Sequence, residues 1–192
     1  MKKKAIAGLI KNKRYTKKDE ENLFVNGEQW KYTNINIFKK IQIKQAPILE
    51  KQKNKYTNKD ILIINNQNIE NKIKNKNIYL NNIYTALNEK LFNCNKIFNR
   101  IISENKNEFI SLNTKYFNSG IFMHISNNSK IEKPIIITNV TTKNKTKSFL
   151  NCRYLFSFGK NVSAKIIIKD TILNNNYLNT VIEIFVDENS TI

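Results

Sequence analysis

The sequence predicts a mainly β fold: a regular array of short strands, of β-solenoid or packed-sheet type, behind a small α/β unit. Three observations carry this expectation. First, short β-branched runs recur from Gly120 onward, at Ile121-Phe-Met-His-Ile125, Ile135-Ile-Ile-Thr138, Tyr154-Leu-Phe-Ser-Phe158, Ala164-Lys-Ile-Ile-Ile168 and Val181-Ile-Glu-Ile-Phe-Val186. Each has strand length and the residue types that suit a pleated surface. Turn-forming residues follow at Asn127-Asn128, Gly159-Lys-Asn161, Asn174-Asn-Asn176 and Asn189-Ser190. Second, the runs at 135–138 and 166–168 are apolar on consecutive residues, and 181–186 is interrupted only by Glu183. Sandwich strands with one wet face alternate more cleanly, so a solenoid or packed sheet interior fits better, with a sandwich left open. Third, the series does not close before Ile192. Stacked strands bury their core only between neighbouring rungs, so the sequence is expected to be the front half of a larger protein.

The elements before this array follow in order. Residues 1–21 suggest a weak basic helix or tail. Asn22 to Phe38 is a mixed segment around Trp30, the only Trp, and Lys39 to Asp60 is polar, contains Pro47 and reads as a loop. Ile61-Leu-Ile-Ile64, ending in Asn65-Asn66, has the signal of a strand and turn, and Ile78-Tyr-Leu80 that of a second short strand. The apolar positions 83, 84, 87 and 91 suit a helix face. Phe98, Ile101, Ile102 and Phe109 give a second helical pattern. Phe109 to Asn113 leads into Phe117-Asn-Ser-Gly120, where Gly120 turns the chain into the β array. The boundary falls near residue 119, giving an N-terminal α/β domain with basic tail and loops at 1–118 and the strand array at 119–192.

Composition excludes more than it assigns. A chain of 192 residues with 40% hydrophobic and 10% aromatic content is long and apolar enough to bury a core. The net charge of +18 invites a nucleic-acid or membrane reading. Yet of the 33 basic residues only Arg14, Arg100 and Arg153 are arginine, the side chain suited to bidentate phosphate and base recognition. Lys, Asn and Ile are what A/T-rich codons supply, so the charge reads as drift onto solvated positions. A basic nucleic-acid-binding module remains the alternative; nucleic acid is otherwise disfavoured as a partner. No apolar run approaches the roughly 18–20 residues a membrane span needs. Ala5-Ile-Ala-Gly-Leu-Ile10 is shorter than the about 7–15 residues of a signal-peptide core, and no membrane partner is expected. Cys94 and Cys152 lie far apart with no CxxC pattern, which fits free thiols in a reducing cytoplasm.

No chemistry stands out. There is no Gly-rich phosphate loop, with only Gly8, Gly27, Gly120 and Gly159 in the chain. His124 is the sole His and sits in a strand between apolar neighbours, where a structural role is commoner than a catalytic one. A Cys–His pair would require it to meet Cys152 or Cys94 in space. Asp170, Glu183, Asp187 and Glu188 are the candidates for paired carboxylates, but they fall mostly at run ends, where turn chemistry explains them. Tyr154, Phe156 and Phe158 alternate on one face, as a base-stacking platform would and as a core face does. No catalytic, cofactor-binding or metal-ligating residue is assigned.

Several blocks together resemble the SufB/SufD family of iron–sulfur cluster assembly scaffolds, on its SufD side. Glu28-Gln-Trp-Lys-Tyr-Thr33 resembles an E-x-W-[KR]-Y-T signature near the family's start. Ile61-Leu-Ile-Ile-Asn-Asn66 resembles the strand and turn that follow it, with Asn66 where Gly is usual. Phe109 to Ile125 and Ile131-Glu-Lys-Pro-Ile135 resemble the F-x-x-L-N-x-A-x-x-x-x-G-x-x-I-x-I … x-E-x-P-I block, with Lys115 where a small residue is usual. Cys152-Arg-Tyr-Leu155, Gly159 to Ala164, Asn179 to Glu183 and Glu188 to Ile192 resemble the P-R-x-L, G-x-x-A, N-x-V-x-E and E-N-A-x-L elements of later rungs, with Cys152 where Pro is usual. The resemblance spans roughly residues 22–192. It implies a right-handed parallel β-helix, here incomplete, behind a small N-terminal domain in which Trp30 and Tyr32 are anchors. It implies a non-catalytic cytoplasmic scaffold of the SufBCD complex. Its partners would be SufB-like and SufC-like ATPase subunits, bound through the missing C-terminal half. No cofactor belongs to this chain, since the full complex assembles the iron–sulfur cluster. An open rung near Ile192 is expected to favour aggregation.

Overall fold

The computed structural model describes residues 31–32, 34, 60–64, 68–102, 108–117, 119–141, 148–173 and 176–192. The Trp30 block, apart from Lys31 and Tyr32, therefore lies outside the described residues, as do Asn174 and Asn175. Tyr32 does not anchor a core: it is 92% exposed, with the Lys31 ammonium 5.6 Å from its ring centroid.

The described chain is mainly β. Its strands are β1 (Ile61–Ile64), β2 (Asn68–Asn71), β3 (Ile78–Asn82), β4 (Ser119–Ile125), β5 (Ile135–Val140), β6 (Ser148–Phe158), β7 (Ile166–Thr171) and β8 (Asn176–Val186). They form two four-stranded mixed sheets, ordered β2-β1-β5-β7 and β3-β4-β6-β8. The β1–β2 and β3–β4 pairs are antiparallel; β1–β5, β5–β7, β4–β6 and β6–β8 are parallel. From β4 onward, each successive strand joins the opposite sheet. The strands before residue 119 belong to the same two sheets, β1 beside β5 and β3 beside β4.

The sheets face each other across one core. Ile61, Ile63, Ile135 and Ile137 from the first sheet meet Ile121, Met123, Ile125, Tyr154, Phe156 and Phe158 from the second. Leu62, Ile64 and Val140 are buried on the other side of the first sheet. This explains the unbroken apolar runs: β1 is buried on both faces, as a continuous Ile/Leu run requires. Strands β6 and β8 begin well before their apolar runs. Their first halves carry Asn151, Cys152, Arg153, Asn176, Asn179 and Thr180, which hide the strand signal because tertiary contacts rather than apolar pattern hold them.

A helical layer covers the outer face of the second sheet. It comprises α1 (Ile83–Glu89), a 3-10 turn (Leu91–Asn93), α2 (Cys94–Ile97) and α3 (Glu108–Tyr116). Helix α1 starts at Asn82, whose side chain accepts from the Tyr84 N–H, and buries Ile83, Ala86 and Leu87 against Phe122 and Leu155. The helix expected from Phe98 toward Phe109 is not formed at Phe98–Ile102. Asn99 has φ 60°, and the Glu183 carboxylate takes the Asn99 and Ile101 N–H groups at 3.0 and 3.3 Å. The helix forms later, as α3. Its sequence has little helical propensity, but Leu112, Asn113, Thr114 and Tyr116 are buried, and Asn113 Nδ2 donates to the Cys152 and Asn179 carbonyls at 2.9 Å each.

At the opposite end the turns repeat. Asn128, Asn161 and Asn189 all adopt left-handed φ of 55–57°, which Asn tolerates better than most residues. Asn161 Nδ2 donates to Asn128 Oδ1 at 2.7 Å, and Lys130, Ser163 and Thr191 form successive parallel bridges. Gly159 is required by close approach, because a Cβ there would lie 2.1 Å from Asn127 Oδ1, the acceptor for the Lys160 N–H. Among the described residues no helix is long and apolar enough to cross a membrane.

Candidate functional site

Near the end of the inter-sheet core away from the repeated turns, polar side chains replace apolar ones. Ser119, Cys152 and Thr180 stand side by side across β4, β6 and β8. Asn139 and Asp170 stand side by side across β5 and β7. Cys152 and Tyr154 belong to the inter-sheet core, and strand alternation places Ser119 and Thr180 on the same face as Cys152. Asn139 shares its face with the core residues Ile135 and Ile137, and Asp170 with Ile166 and Ile168. Cys152, Tyr154, Asn139 and Ser119 are buried, whereas Asp170 is exposed on the edge strand β7. The result is a polar patch between the sheets with a carboxylate at its exposed edge.

Some of its polar atoms are under-satisfied: Asn139 Oδ1, Thr180 Oγ1 and Ser119 Oγ find no hydrogen-bond partner among the described residues. Such buried groups ordinarily have one. Burial pushes the Cys152 thiol up to about 12; the Tyr154 hydroxyl opposes this and the Asp170 charge adds to it. The thiol is therefore protonated at neutral pH and is a poor nucleophile. Burial, then the neighbouring Cys152 and Asp170, raise the Tyr154 phenol far above its ordinary value. Burial also raises the Asp170 carboxyl, with the Asn139 amide acting the other way.

On the outer face of the same sheet lies a second polar centre. Arg153 and Glu183 form an ion pair at 2.5 Å with both side chains fully buried. Arg153 also donates to Asn99 Oδ1 at 2.5 Å and Thr114 Oγ1 at 3.3 Å, and its guanidinium lies 5.0 Å from the Phe98 ring centroid. With the Glu183 bonds to the Asn99 and Ile101 backbone, this network ties β6 and β8 to α3 and to the segment after α2. It is a buried strut rather than an accessible site.

The residues weighed from sequence fall in separate places. His124 is half-buried on the outer face, 3.2 Å from Ser157 Oγ, with its ring stacked on Phe92 at 4.2 Å; burial lowers its pKa. The Cys–His pair is not formed with Cys152, which faces the opposite side of the sheet and lies opposite Ser119 rather than His124. Cys94 donates to the Ala86 carbonyl at 3.0 Å, and burial pushes its thiol up to about 11. Glu188 pairs with Lys160 at 2.8 Å in an exposed turn, and Asp187 caps the Glu188 N–H, which is turn chemistry. Glu183 is the exception, being the buried partner of Arg153. Tyr154, Phe156 and Phe158 are buried in the core and offer no base-stacking platform.

The described residues contain no group of three or more His, Cys, Asp or Glu that could hold a metal ion. The polar patch was missed from sequence, but a signal exists. Ile135-Ile-Ile-Thr-Asn-Val140 and Ile166-Ile-Ile-Lys-Asp-Thr171 share one pattern, with Asn139 and Asp170 in corresponding positions. No protein-family model matches the chain, and no curated protein matches it.

Proposed function

We propose that the chain is a SufD-like scaffold subunit of iron–sulfur cluster assembly, folded as a right-handed parallel β-helix that takes in β1 and β3 from the segment before residue 119. One observation carries the reading. Strands β4 to β8 alternate between two facing sheets and pair in parallel with the strand about 30 residues away, as the rungs of a solenoid do. The left-handed Asn turns at 128, 161 and 189 recur in step with those rungs. The ordered resemblance over residues 22–192 supplies the family. The role is structural, with SufB-like and SufC-like ATPase subunits as partners and the cluster assembled by the complex in the cytoplasm. The outer edges of β7 and β8 are unpaired among the described residues, a surface that a further rung or a partner strand would cover.

The test is co-expression of the full gene product with SufB-type and SufC-type subunits from the same organism, followed by size-exclusion chromatography with light scattering. Co-elution in one complex is expected. Elution of a SufB–SufC complex without this chain sinks the reading. The charge of +18 defines the competing outcome: tight filter binding of nucleic acid with a steep salt slope would make the chain a basic binding module instead.

A further inference from the structure

We propose that the turn from Lys90 to Asn93 is a strap latched by Phe92 onto the neutral ring of His124, and that protonation of His124 releases it, uncovering an aromatic surface on the outer face of the second sheet. The strap is strained. Lys90, Phe92 and Asn93 have φ of 56°, 47° and 56°, a left-handed conformation that Asn tolerates and a bulky ring does not. Such a conformation persists only where surrounding contacts over-determine it. The 3-10 turn Leu91–Asn93 supplies few of its own, having no buried residue and no side-chain cap. Its two ends converge on one acceptor. The Lys90 N–H and, at 3.0 Å, the Cys94 thiol both donate to the Ala86 carbonyl. Lifting the turn between these pins leaves α1 and the buried Cys94 in place.

What holds the strap down is aromatic. Phe92 is 46% exposed, yet its ring stacks on His124 at 4.2 Å and 20°, and lies 4.9 Å from Tyr79 and 6.3 Å from Phe122. His124 stands on β4 between Tyr79 of β3 and Ser157 of β6, with Nδ1 3.2 Å from Ser157 Oγ. An imidazolium needs water that the closed strap withholds. A cation against an aromatic face is attractive, but burial is the largest influence on His124 and lowers its pKa, with Ser157 opposing. The titratable groups around it supply no free counter-charge. Tyr79 faces it from β3, Glu183 on the same face of β8 is paired with Arg153, and Glu89 and Lys90 at the root of the strap are exposed. The closed state therefore binds the proton more weakly than the open one. Closure is full above the ordinary histidine value of about 6.5. It weakens as pH falls below that value and levels off beneath the lower closed-state one. One proton changes the closed-to-open ratio by at most about tenfold per pH unit.

His124 is the only histidine, so its imidazole signal in the NMR spectrum of the full chain reports the latch directly. The wild-type titration midpoint is expected below about 6.5. The Asn93 and Cys94 amides donate to the Lys90 and Leu91 carbonyls. Their hydrogen-exchange protection factors should fall from about pH 7 to about pH 5, through that histidine value, while those of β4 and β6 hold. His124→Gln makes the protection of the two amides independent of pH. Phe92→Ala lowers it at every pH and returns the His124 midpoint toward the ordinary value. A wild-type midpoint at or above about 6.5 overturns the proposal, because attraction to the ring then outweighs lost hydration. Protection that ignores pH overturns it as well, and so does a loss shared by β4 and β6, which is global unfolding. A pH response that survives in His124→Gln overturns it by assigning the switch to another group.

Discussion

Arg153 is the buried arginine among the described residues of a lysine-rich chain, and its geometry explains why lysine would not serve. The planar guanidinium meets Glu183, Asn99 and Thr114 at once while facing the Phe98 ring; a single ammonium cannot reproduce that fork. A buried pair of this kind adds little net stability but is costly to break singly. Glu183→Gln is therefore expected to cost about 3–5 kcal/mol, read as a lower urea midpoint. Arg153→Met combined with Glu183→Leu should recover most of the loss, and a double variant as unstable as the single would show that the pair itself stabilises. Asp170 makes the reverse prediction. Burial raises its folded pKa above the unfolded value, so the native state holds that proton more tightly. Its contribution to stability is full below about pH 4, the ordinary carboxylate range, and is lost as pH rises through the raised value. Asp170→Asn should thus be more stable than wild type at pH 7, and the two urea curves should converge near pH 3. A variant less stable at pH 7 would mean that the charged carboxylate has partners that offset its burial.

At the scale of elements, the turns hold the rungs in register. Asn161 combines a left-handed backbone with a side-chain hydrogen bond to Asn128. Asn161→Val forces a β-branched residue into that conformation, at about 1–2 kcal/mol or more. Asn161→Gly keeps the conformation and loses only the hydrogen bond, so its thermal melt should fall less. Equal losses would assign the whole effect to the hydrogen bond. The same turns were readable in the sequence, because Asn clusters punctuate apolar runs. Strands β1, β3, β4 and β5 and helix α1 were readable for the same reason: each carries its own local periodicity. What stayed hidden depends on contacts distant in sequence. The early halves of β6 and β8 look polar because Arg153 and Asn179 reach partners on other elements. Helix α3 is held by Asn113 reaching two strand carbonyls. The polar patch needed the register of β5 against β7, which no single run reveals.

At the scale of the whole molecule, two forces act on the open edge of the sheets in opposite directions. β8 is an eleven-residue strand with an unpaired outer edge among the described residues, and its Ile184 and Val186 are 45% and 48% exposed. An edge of that length with apolar side chains favours strand addition by another chain. The net charge of +18 opposes the approach of a second copy. Salt decides between them, because screening shortens the reach of that repulsion from about 10 Å at 0.1 M to about 3 Å at 1 M, while apolar burial does not weaken. Self-association measured by sedimentation velocity should therefore grow as NaCl rises from 0.1 to 1 M. Ile184→Lys, a charge on the edge strand where bulk repulsion is screened, should suppress it at every salt concentration. If association is instead strongest at low salt and indifferent to Ile184→Lys, copies meet through complementary surface charges, and the β8 edge is not the surface by which this chain recognises a partner.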